Sequence, residues 1–450
     1  MTDSLAHDRA LKGAPLTAAI VDFAAMPASA IPASARQVMC LSLLDWCAVA
    51  IAGKDEPVSR ITRTMIEAEA GAPVASVVGS GQKVPPRAAA LVNGATSHAL
   101  DYDDTHFDHI GHPSVAVVPA ALAMAEATGA SGAAFLDAAL IGVEASVRIG
   151  TWLGREHYQH GFHQTATAGA FGATIAAGRL ARLDGAAMAQ AIGIAATRAS
   201  GLKSQFGTMG KPYHAGMAAA NGVEAVLLAR AGFVSRPDGL ECEQGFGPTH
   251  AGAALSLGPV LDGLGTEFRF ERVQHKFHAC CHGTHAMLEA LATLRGSVRP
   301  DEVESIAVAT HPRWLKVCHI PAPATGLEAK FSYRLTAAMA LSHVDTGALA
   351  SFTDALCADP ALVGLRDRVL VETDDTLADT ATRVRLRLRD GRVLEQAFDL
   401  DAPIPIDARE AKIRAKAASL LGAARAEAIW QAIGGFDDKG VPGLGRWLAG

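Results

Sequence analysis

The sequence predicts a mainly α-helical protein, in which a large helical domain is followed by a smaller α/β unit. Apolar residues make up 50% of the chain and aromatic residues only 5%, so the core is built from Ala, Leu, Val and Ile. Small side chains allow helices to pack closely, which favours a helical domain over an all-β one. The spacing of apolar residues is helical as far as position 265, and strand-like segments appear only after it.

Length and the order of these patterns predict the domain organisation. A chain of 450 residues exceeds what one simple core usually holds. We predict an all-helical domain at 1–266 and a smaller α+β domain at 267–400. Helices at 401–450 are predicted to return to the helical domain.

The predicted helices of the first domain begin and end at recognisable signals. Ser131 and Asp184 stand at helix-capping positions, and Gly129 marks a helix end. The predicted helices are Thr17–Met26, Ala33–Gly53, one from Pro57 to Glu69, Pro85–Leu100, one from Pro113 to Gly129, Gly132–Gly150, Thr165–Leu183, Gly185–Ser200 and one ending at Gly232. The stretch Val74–Gly79 is predicted to be a strand or an extended link.

The second domain is predicted from alternating apolar residues. Asp390-Gly391 is a hairpin signal between the last two of its strands. The predicted elements are a strand at Glu302–Thr310, a helix at Phe331–His343, strands at Arg368–Thr373, Arg383–Arg389 and Arg392–Phe398, and terminal helices at Ala408–Leu420 and Arg425–Ile433.

Charge and composition exclude several function classes. The net charge is −6 and no basic run stands out, so nucleic acid is not an expected partner. The apolar run Cys40–Ile51 is short and contains Asp45, which predicts no transmembrane helix. The N-terminus shows no signal pattern, so a cytoplasmic location is expected. Seven scattered cysteines without a C-x-x-C pair argue against disulfides and against an iron–sulfur cluster.

Three polar stretches interrupt the helical pattern, and each precedes an Ala-rich helix. They are Asn93–Ser114, Thr151–Gln164 and Gly201–Gly216. The first contains four aspartates and four histidines: Asp101, Asp103, Asp104, Asp108, His98, His106, His109 and His112. Imidazole and carboxylate groups suit zinc, manganese or iron, but no metal-binding motif such as H-E-x-x-H is present. The alternative is that such residues cap helices and hold the loop, for which Asp104 and His109 are the strongest candidates.

The other stretches add groups that suit an anionic ligand. His163 stands immediately before a helix, where free backbone N–H groups bind anions. Lys211 also stands at a helix start, where a cation is unfavourable unless an anion is near. Tyr158, Lys276 and Arg334 are further candidates. Each has a structural alternative: His163 as a cap residue, for example, and Lys211 as an exposed cation.

These groups together suit a small di- or tricarboxylate and proton transfer at a carbon next to a carboxylate. The sequence contains no G-x-G-x-x-G after a strand, no Walker A motif and no G-x-S-x-G motif. We therefore predict chemistry without a cofactor and without a metal.

Several motifs resemble, in sequence order, those of the MmgE/PrpD family. They are HALDYDDT with HPS, GFHQTATAGAFGA, GTMGKPYHAGMAAANGVEAVLLARAGF, KFHACCHGTH and AKFS. The resemblance implies a large all-helical domain with a smaller α+β lid domain, and a homodimer. It implies catalytic roles for Asp101, His112, His163, Lys211 and Lys276, and substrate contact at Thr105. Two positions depart from the family pattern: Gln164 replaces a usual proline, and His278-Ala279 replaces Tyr-Pro.

The expected function is that of a lyase acting like a 2-methylcitrate dehydratase. His112 or His163 would remove the proton, and the other, with Asp101, would protonate the departing hydroxyl. Lys211 and Lys276 would hold carboxylates, and Thr105, Tyr158 and Arg334 would contact the substrate. The open alternatives are decarboxylation of cis-aconitate, epimerisation of iminodisuccinate, a metal-dependent hydrolase that uses the His/Asp loop, and a non-catalytic binding protein.

Overall fold

The computed structural model describes residues 16–251, 255–436 and 441–449, and this part of the chain is mainly α-helical, as predicted. Up to residue 251 the helices are α1 (Leu16–Ala24), α2 (Ala33–Ala52), α3 (Pro57–Glu69), α4 (Pro86–Ser97), α5 (Ser114–Thr128), α6 (Gly132–Gln159), α7 (Gln164–Leu180), α8 (Gly185–Arg198), α9 (Gly210–Arg230) and α10 (Phe246–His250). Strands β1 (Ala75–Ser76) and β2 (Lys83–Val84) pair antiparallel. The stretch predicted as a strand or an extended link therefore contributes a two-residue strand.

The remaining elements include all those predicted, together with several helices that the sequence analysis did not predict. They are α11 (Gly258–Leu261), α12 (His285–Leu294), β3 (Val303–Thr310), α13 (Gly326–Ala329), α14 (Tyr333–Leu341), α15 (Asp354–Cys357), α16 (Pro360–Arg366), β4 (Val369–Thr373), β5 (Ala381–Leu388), β6 (Val393–Asp399), α17 (Ile406–Leu421), α18 (Ala423–Gly434) and α19 (Pro442–Leu448). Short 3-10 helices lie at Ala28–Ala30, Lys203–Gln205, Arg269–Arg272, His282–Thr284, Pro300–Glu302, Pro312–Lys316 and Leu349–Ser351.

Two of the predicted polar interruptions are largely helical, which corrects the sequence-based prediction. Helix α6 continues to Gln159, with a break at Gly154 (φ 71°, ψ −175°). Helix α9 already begins at Gly210, so Lys211 lies in its first turn. Polar side chains near the end of a helix produce the same pattern as a loop, which is why the sequence misplaced both boundaries.

The chain divides into two compact units. The first runs to His275 and resumes at Leu421, and the second is Lys276–Leu420. These limits differ from the predicted domain boundaries at 266 and 400. The backbone N–H of Phe270 donates to buried Glu144 of α6, which holds this segment to the first unit. Lys412 of α17 pairs with Glu289 of α12, so α17 belongs to the second unit and not to the helical one.

Helix α7 lies at the centre of the first unit, packed against α5, α6 and α9. Close approach depends on glycine: a Cβ at Gly142 of α6 would lie 2.7 Å from the carbonyl oxygen of Gly172 of α7. A second close approach joins α4 and α9, where a Cβ at Gly94 would lie 2.7 Å from Cα of Gly216. This contact aligns the end of α4 with the beginning of α9, where polar residues gather.

Helix α2 contains the apolar run that the sequence analysis described as short, and it is long and apolar enough to cross a membrane by length and composition alone. It has 20 residues, and its most apolar window has a mean hydropathy of 1.4. However, 78% of that window is buried inside the protein, and the helix packs against α4, α6 and α18. Asp45 lies on it and is buried as well. These contacts are those of a core helix.

The second unit contains a mixed sheet in the order β4–β3–β5–β6. Strands β3 and β4 are parallel, whereas β3 with β5 and β5 with β6 are antiparallel. The predicted hairpin joins β5 to β6, but its turn is not the two-residue type. Gly391 has φ 90° and its N–H donates to the carbonyl of Leu388, which makes a three-residue turn with a glycine bulge. Along β5 the arginines are exposed, and the residues between them (Val384, Leu386 and Leu388) are buried.

Candidate active site

The loop between α4 and α5 is held firmly in place by its backbone. Thr105 and Gln274 exchange two backbone hydrogen bonds, of 2.8 and 2.7 Å. The N–H of His106 donates to the carbonyl of Gly111 at 2.9 Å. Asp101 has φ 50°, a left-handed conformation that L-residues other than Asn and Asp rarely adopt.

Two of the cluster's polar residues stabilise the loop, as predicted for them. Asp104 accepts hydrogen bonds from the N–H and the hydroxyl of Ser114, at 3.3 and 2.5 Å, and so ties the loop to the start of α5. Burial raises the pKa of Asp104 to about 7. Nε2 of His109 lies 3.1 Å from the hydroxyl of Ser146, and burial lowers the pKa of His109 to about 3. His109 is therefore neutral near pH 7, and the contacts of both residues hold the loop against its neighbours.

Asp103 lies between two histidines at the centre of the cluster. Its Oδ1 is 2.9 Å from Nδ1 of His98, and its Oδ2 is 2.7 Å from Nδ1 of His112. All three side chains are buried. Burial alone would raise the pKa of Asp103, but the two imidazoles outweigh it and hold that pKa well below its ordinary value. The carboxylate is therefore a fixed negative charge.

Asp101 links His112 to Lys211, which lies in the first turn of α9. Oδ1 of Asp101 is 2.7 Å from Nζ of Lys211 and 3.5 Å from Nε2 of His112. Burial lowers the pKa of His112 to about 4; Asp103 opposes this effect, while His98 and Lys211 add to it. The cation at this helix start thus faces a carboxylate of the protein itself, and the anionic ligand expected near Lys211 stays a prediction.

His163 and His214 extend the cluster along its other side. Although His163 immediately precedes α7, its side chain does not cap the helix. Its Nδ1 is 3.1 Å from Nδ1 of His214, and its ring stacks near that of His98, with centroids 6.0 Å apart. Burial lowers the pKa of both, to about 4 for His214, and the charges of His98 and Lys211 lower them further. Burial thus favours the neutral form of three neighbouring imidazoles, those of His112, His163 and His214.

The structure brings together four of the predicted site residues: Asp101, His112, His163 and Lys211. Thr105 lies in the same loop, paired with Gln274. Tyr158 contacts Lys203, whose Nζ lies 3.7 Å from the centre of its ring.

Lys276 and Arg334 belong to the second unit. Lys276 is buried there, and its charge helps to lower the pKa of His285, which burial already holds well below its usual value. Nη2 of Arg334 lies 3.6 Å from Oδ1 of Asp367. Their predicted catalytic and substrate-binding roles stay predictions.

The sequence-based site set omitted His98, Asp103 and His214, which the structure places in direct contact with its members. The first two were counted in the polar cluster but assigned to the shape of the loop. For His214 a signal was present: it lies three residues after Lys211 on one helix, and residues at that spacing share a face. No comparable spacing rule connects His98, Asp103 and His112 across a helix end.

The two departures from the family pattern have structural explanations. The Gln164 amide donates to the carbonyls of Gly150 and Gly154, at 2.9 and 3.1 Å, and so stabilises the break in α6. In the second unit, Nδ1 of His278 lies 2.7 Å from the hydroxyl of Thr346, and its Nε2 lies 3.5 Å from Glu289. Burial would raise the pKa of Glu289, but His278 and Lys412 outweigh it and lower that pKa to about 2.

The cluster is also compact enough to surround a cation. One donor atom each from His98, Asp101, Asp103 and His112 lies within 4.8 Å of the others. However, both oxygens of Asp103 already face imidazole nitrogens, and Asp101 already faces the ammonium group of Lys211. A cation would have to displace those protons and compete with Lys211. Lys211 thus already supplies a positive charge beside this cluster, and the expectation that no metal binds there stays a prediction.

Comparisons with known proteins cover most of the chain. Models of the MmgE/PrpD N-terminal domain and C-terminal domain match residues 19–255 and 278–437. A cis-aconitate decarboxylase of Aspergillus terreus is 33% identical over 281 residues, which cover 59% of this chain and 57% of the relative. A cis-aconitate decarboxylase-like protein of Aspergillus oryzae is 31% identical, covering 59% and 58%. The cis-aconitate decarboxylase of Homo sapiens is 26% identical over 377 residues, covering 79% and 78%. The match thus spans less than two thirds of the length of either Aspergillus relative.

Proposed function

Since the chain belongs to the MmgE/PrpD family, we propose that it is a cofactor-independent lyase that decarboxylates a small unsaturated polycarboxylate such as cis-aconitate. The observation that carries the proposal is the network from Lys211 through Asp101 and His112 to Asp103, because it combines a cation for carboxylates with an imidazole for proton transfer. The names of the relatives favour decarboxylation over the dehydration of 2-methylcitrate that the sequence first suggested.

The chemistry of cis-aconitate defines what the site must supply. The bond between the CH₂ carbon and its carboxylate breaks and CO₂ leaves. The electron pair of the broken bond forms a new C=CH₂ double bond. The electron pair of the original double bond then takes up a proton at the carbon that was the vinyl CH. One proton is consumed for each CO₂ released, and the product is a dicarboxylate with a methylidene group. The enzyme must therefore bind negative charge and deliver one proton to carbon.

The proposed roles follow from charge and position. Lys211 pairs with a substrate carboxylate in place of Asp101, and Lys276, Thr105, Tyr158 and Arg334 remain proposed contacts. His112 donates the proton, with His163 as the neighbouring imidazole that shares it. A bound polyanion raises the pKa of a nearby imidazole, so substrate binding itself favours the protonated acid. A general acid of this kind typically contributes about 10²–10⁴-fold to the rate.

A substrate panel tests the proposal directly. The purified protein is incubated separately with cis-aconitate, 2-methylcitrate, citrate and iminodisuccinate, and CO₂ release and the proton NMR spectrum are followed. We expect CO₂ and a methylidene dicarboxylate from cis-aconitate alone. Water loss from 2-methylcitrate, or epimerisation of iminodisuccinate without CO₂ release, would support one of the two alternative reactions instead.

We expect removal of metal ions to have no effect on this activity. The proposed scheme takes its positive charge from Lys211, whose Nζ lies 2.7 Å from Oδ1 of Asp101, and assigns no role to a metal ion. Activity is measured after dialysis against a chelator, and the protein is analysed for zinc, manganese and iron. Stoichiometric metal, together with activity that is lost on chelation and restored by that metal, would favour the metal-dependent alternative.

We also propose that the protein is a homodimer, as the sequence resemblance implies. Light scattering during size-exclusion chromatography measures the molar mass, and the mass of a single chain would contradict this proposal.

A further inference from the structure

Asp103 makes no contact with a substrate in the scheme above, yet an imidazole nitrogen lies against each of its oxygens. It is 1% exposed, and both of its oxygens lie within 2.9 Å of an imidazole nitrogen. An ionised carboxylate only accepts hydrogen bonds. The nitrogens that face it, Nδ1 of His98 and Nδ1 of His112, must therefore each carry a hydrogen.

This arrangement determines which atom of His112 exchanges protons. A neutral imidazole carries one hydrogen, and a carboxylate oxygen 2.7 Å from Nδ1 favours that hydrogen on Nδ1 over a bare lone pair there. The lone pair is then on Nε2, which is the atom that gains and loses the second proton. Nε2 is also the atom nearest Asp101, at 3.5 Å, and Asp101 pairs with Lys211. The reacting nitrogen thus points towards the ion pair that the substrate is proposed to replace.

His98 supports the arrangement from the opposite side. Its Nδ1 lies 2.9 Å from Oδ1 of Asp103. This second contact opposes rotation of the carboxylate away from His112. Its ring also meets the ring of His112 edge-on, with centroids 4.5 Å apart. The backbone N–H of His112 donates to the hydroxyl of Thr165 at 3.0 Å, which fixes the main chain below the ring.

We infer that Asp103 is a positioning residue which, with His98, fixes the tautomer and orientation of His112 so that Nε2 delivers the proton to substrate carbon. This inference rests on the proposed decarboxylation for its catalytic part, whereas the tautomer is a property of the unliganded protein. The charged and titratable groups around His112 are Asp103, Asp101 and His109 from the loop, His98 at the end of α4, Lys211 from α9, and His163 before α7.

The test compares Asp103→Asn with Asp104→Asn, its neighbour. Both carboxylates are 1% exposed, but Asp104 binds Ser114 and no imidazole. Asparagine places an oxygen against one imidazole and an NH₂ donor against the other, so it cannot accept a hydrogen from both His98 and His112. Nitrogen–proton correlation spectra of the imidazole rings, with the His112 signal assigned from His112→Gln, report the tautomer. We expect His112 to carry its hydrogen on Nδ1 in the wild type and in Asp104→Asn, and to lose that preference in Asp103→Asn.

Kinetics provide the second readout. Removing Asp103 takes away the charge that raises the pKa of His112 against burial. The protonated acid is then populated only at lower pH, so the high-pH limb of the rate profile should move to lower pH. We expect kcat of Asp103→Asn to fall by roughly 10²–10⁴-fold, as for a misoriented catalytic imidazole, with a much smaller change in KM. Asp104→Asn should keep the wild-type pH profile.

The outcomes separate this inference from the proposed function. An Nε2–H tautomer of His112 in the wild type would overturn the inference, even if Asp103→Asn failed to fold. Decarboxylation with unchanged kcat and pH profile in Asp103→Asn would also overturn it while leaving the function intact. The expected tautomers in a protein that releases no CO₂ from cis-aconitate would contradict the function and leave the tautomer assignment standing.

Discussion

We expect His112→Gln to lower kcat for cis-aconitate by roughly 10²–10⁴-fold. The imidazole of His112 combines three features that a proton donor to carbon needs. It is held by Asp103 at Nδ1, it faces the Asp101–Lys211 pair at Nε2, and its pKa, lowered to about 4 by burial, rises when an anion binds. Glutamine retains polarity and approximate size but cannot donate a proton as an acid.

The measurement is kcat and KM from the rate of CO₂ release, together with the thermal midpoint. His160→Gln is the matched control, since His160 is exposed at the end of α6 and hydrogen-bonds only locally, to the carbonyl of Glu156. It should retain wild-type activity. If His112→Gln turns over normally, His112 is not the acid, and His163 becomes the candidate.

We expect Arg148→Met to lower the free energy of unfolding by about 3–5 kcal/mol. Arg148 is fully buried in α6, and its Nε donates to Glu144 at 2.6 Å. Its remaining donors bind the carbonyls of a following segment, at 2.7–3.2 Å: Val260, Asp262, Gly263 and Glu267. Methionine leaves these carbonyls without a donor. It also leaves the carboxyl group of Glu144 buried without its cation, and burial already raises the pKa of that group.

Urea denaturation followed by circular dichroism measures the loss. Arg236→Met removes an exposed arginine paired with Asp238 and should leave the midpoint unchanged. The double variant Glu144→Gln with Arg148→Met removes the stranded carboxylate and should recover part of the stability. An unchanged midpoint in Arg148→Met would show that the pair of Arg148 with Glu144 does not stabilise the folded protein.

Local signals in the sequence predicted most of the helices. Ser131 and Asp184 cap the helices predicted for them, and Gly129 ends α5 with φ 66°. What the sequence could not supply was non-local. The assignment of α17 to the second unit depends on the pair between Lys412 and Glu289, which lie far apart in the chain.

The sequence predicted where the site lies but not which of its side chains face one another. The density of His and Asp residues indicated the loop, and the lysine at a helix start indicated an anion near Lys211. The sharing of Asp103 by His98 and His112 depends on how the backbone turns at Asp101, which has φ 50°. A left-handed residue changes the direction of the chain, and no rule based on sequence spacing predicts which side chains then face one another.

The position of solvent deuterium in the product tests the central claim most directly. The protein is incubated with cis-aconitate in D₂O, and the product is examined by proton and carbon NMR. The account predicts one CO₂ per product and a methylidene dicarboxylate with one deuterium on its saturated CH₂ carbon and none on the methylidene carbon. The absence of CO₂ release, or deuterium in a methyl group formed without a shift of the double bond, would contradict it.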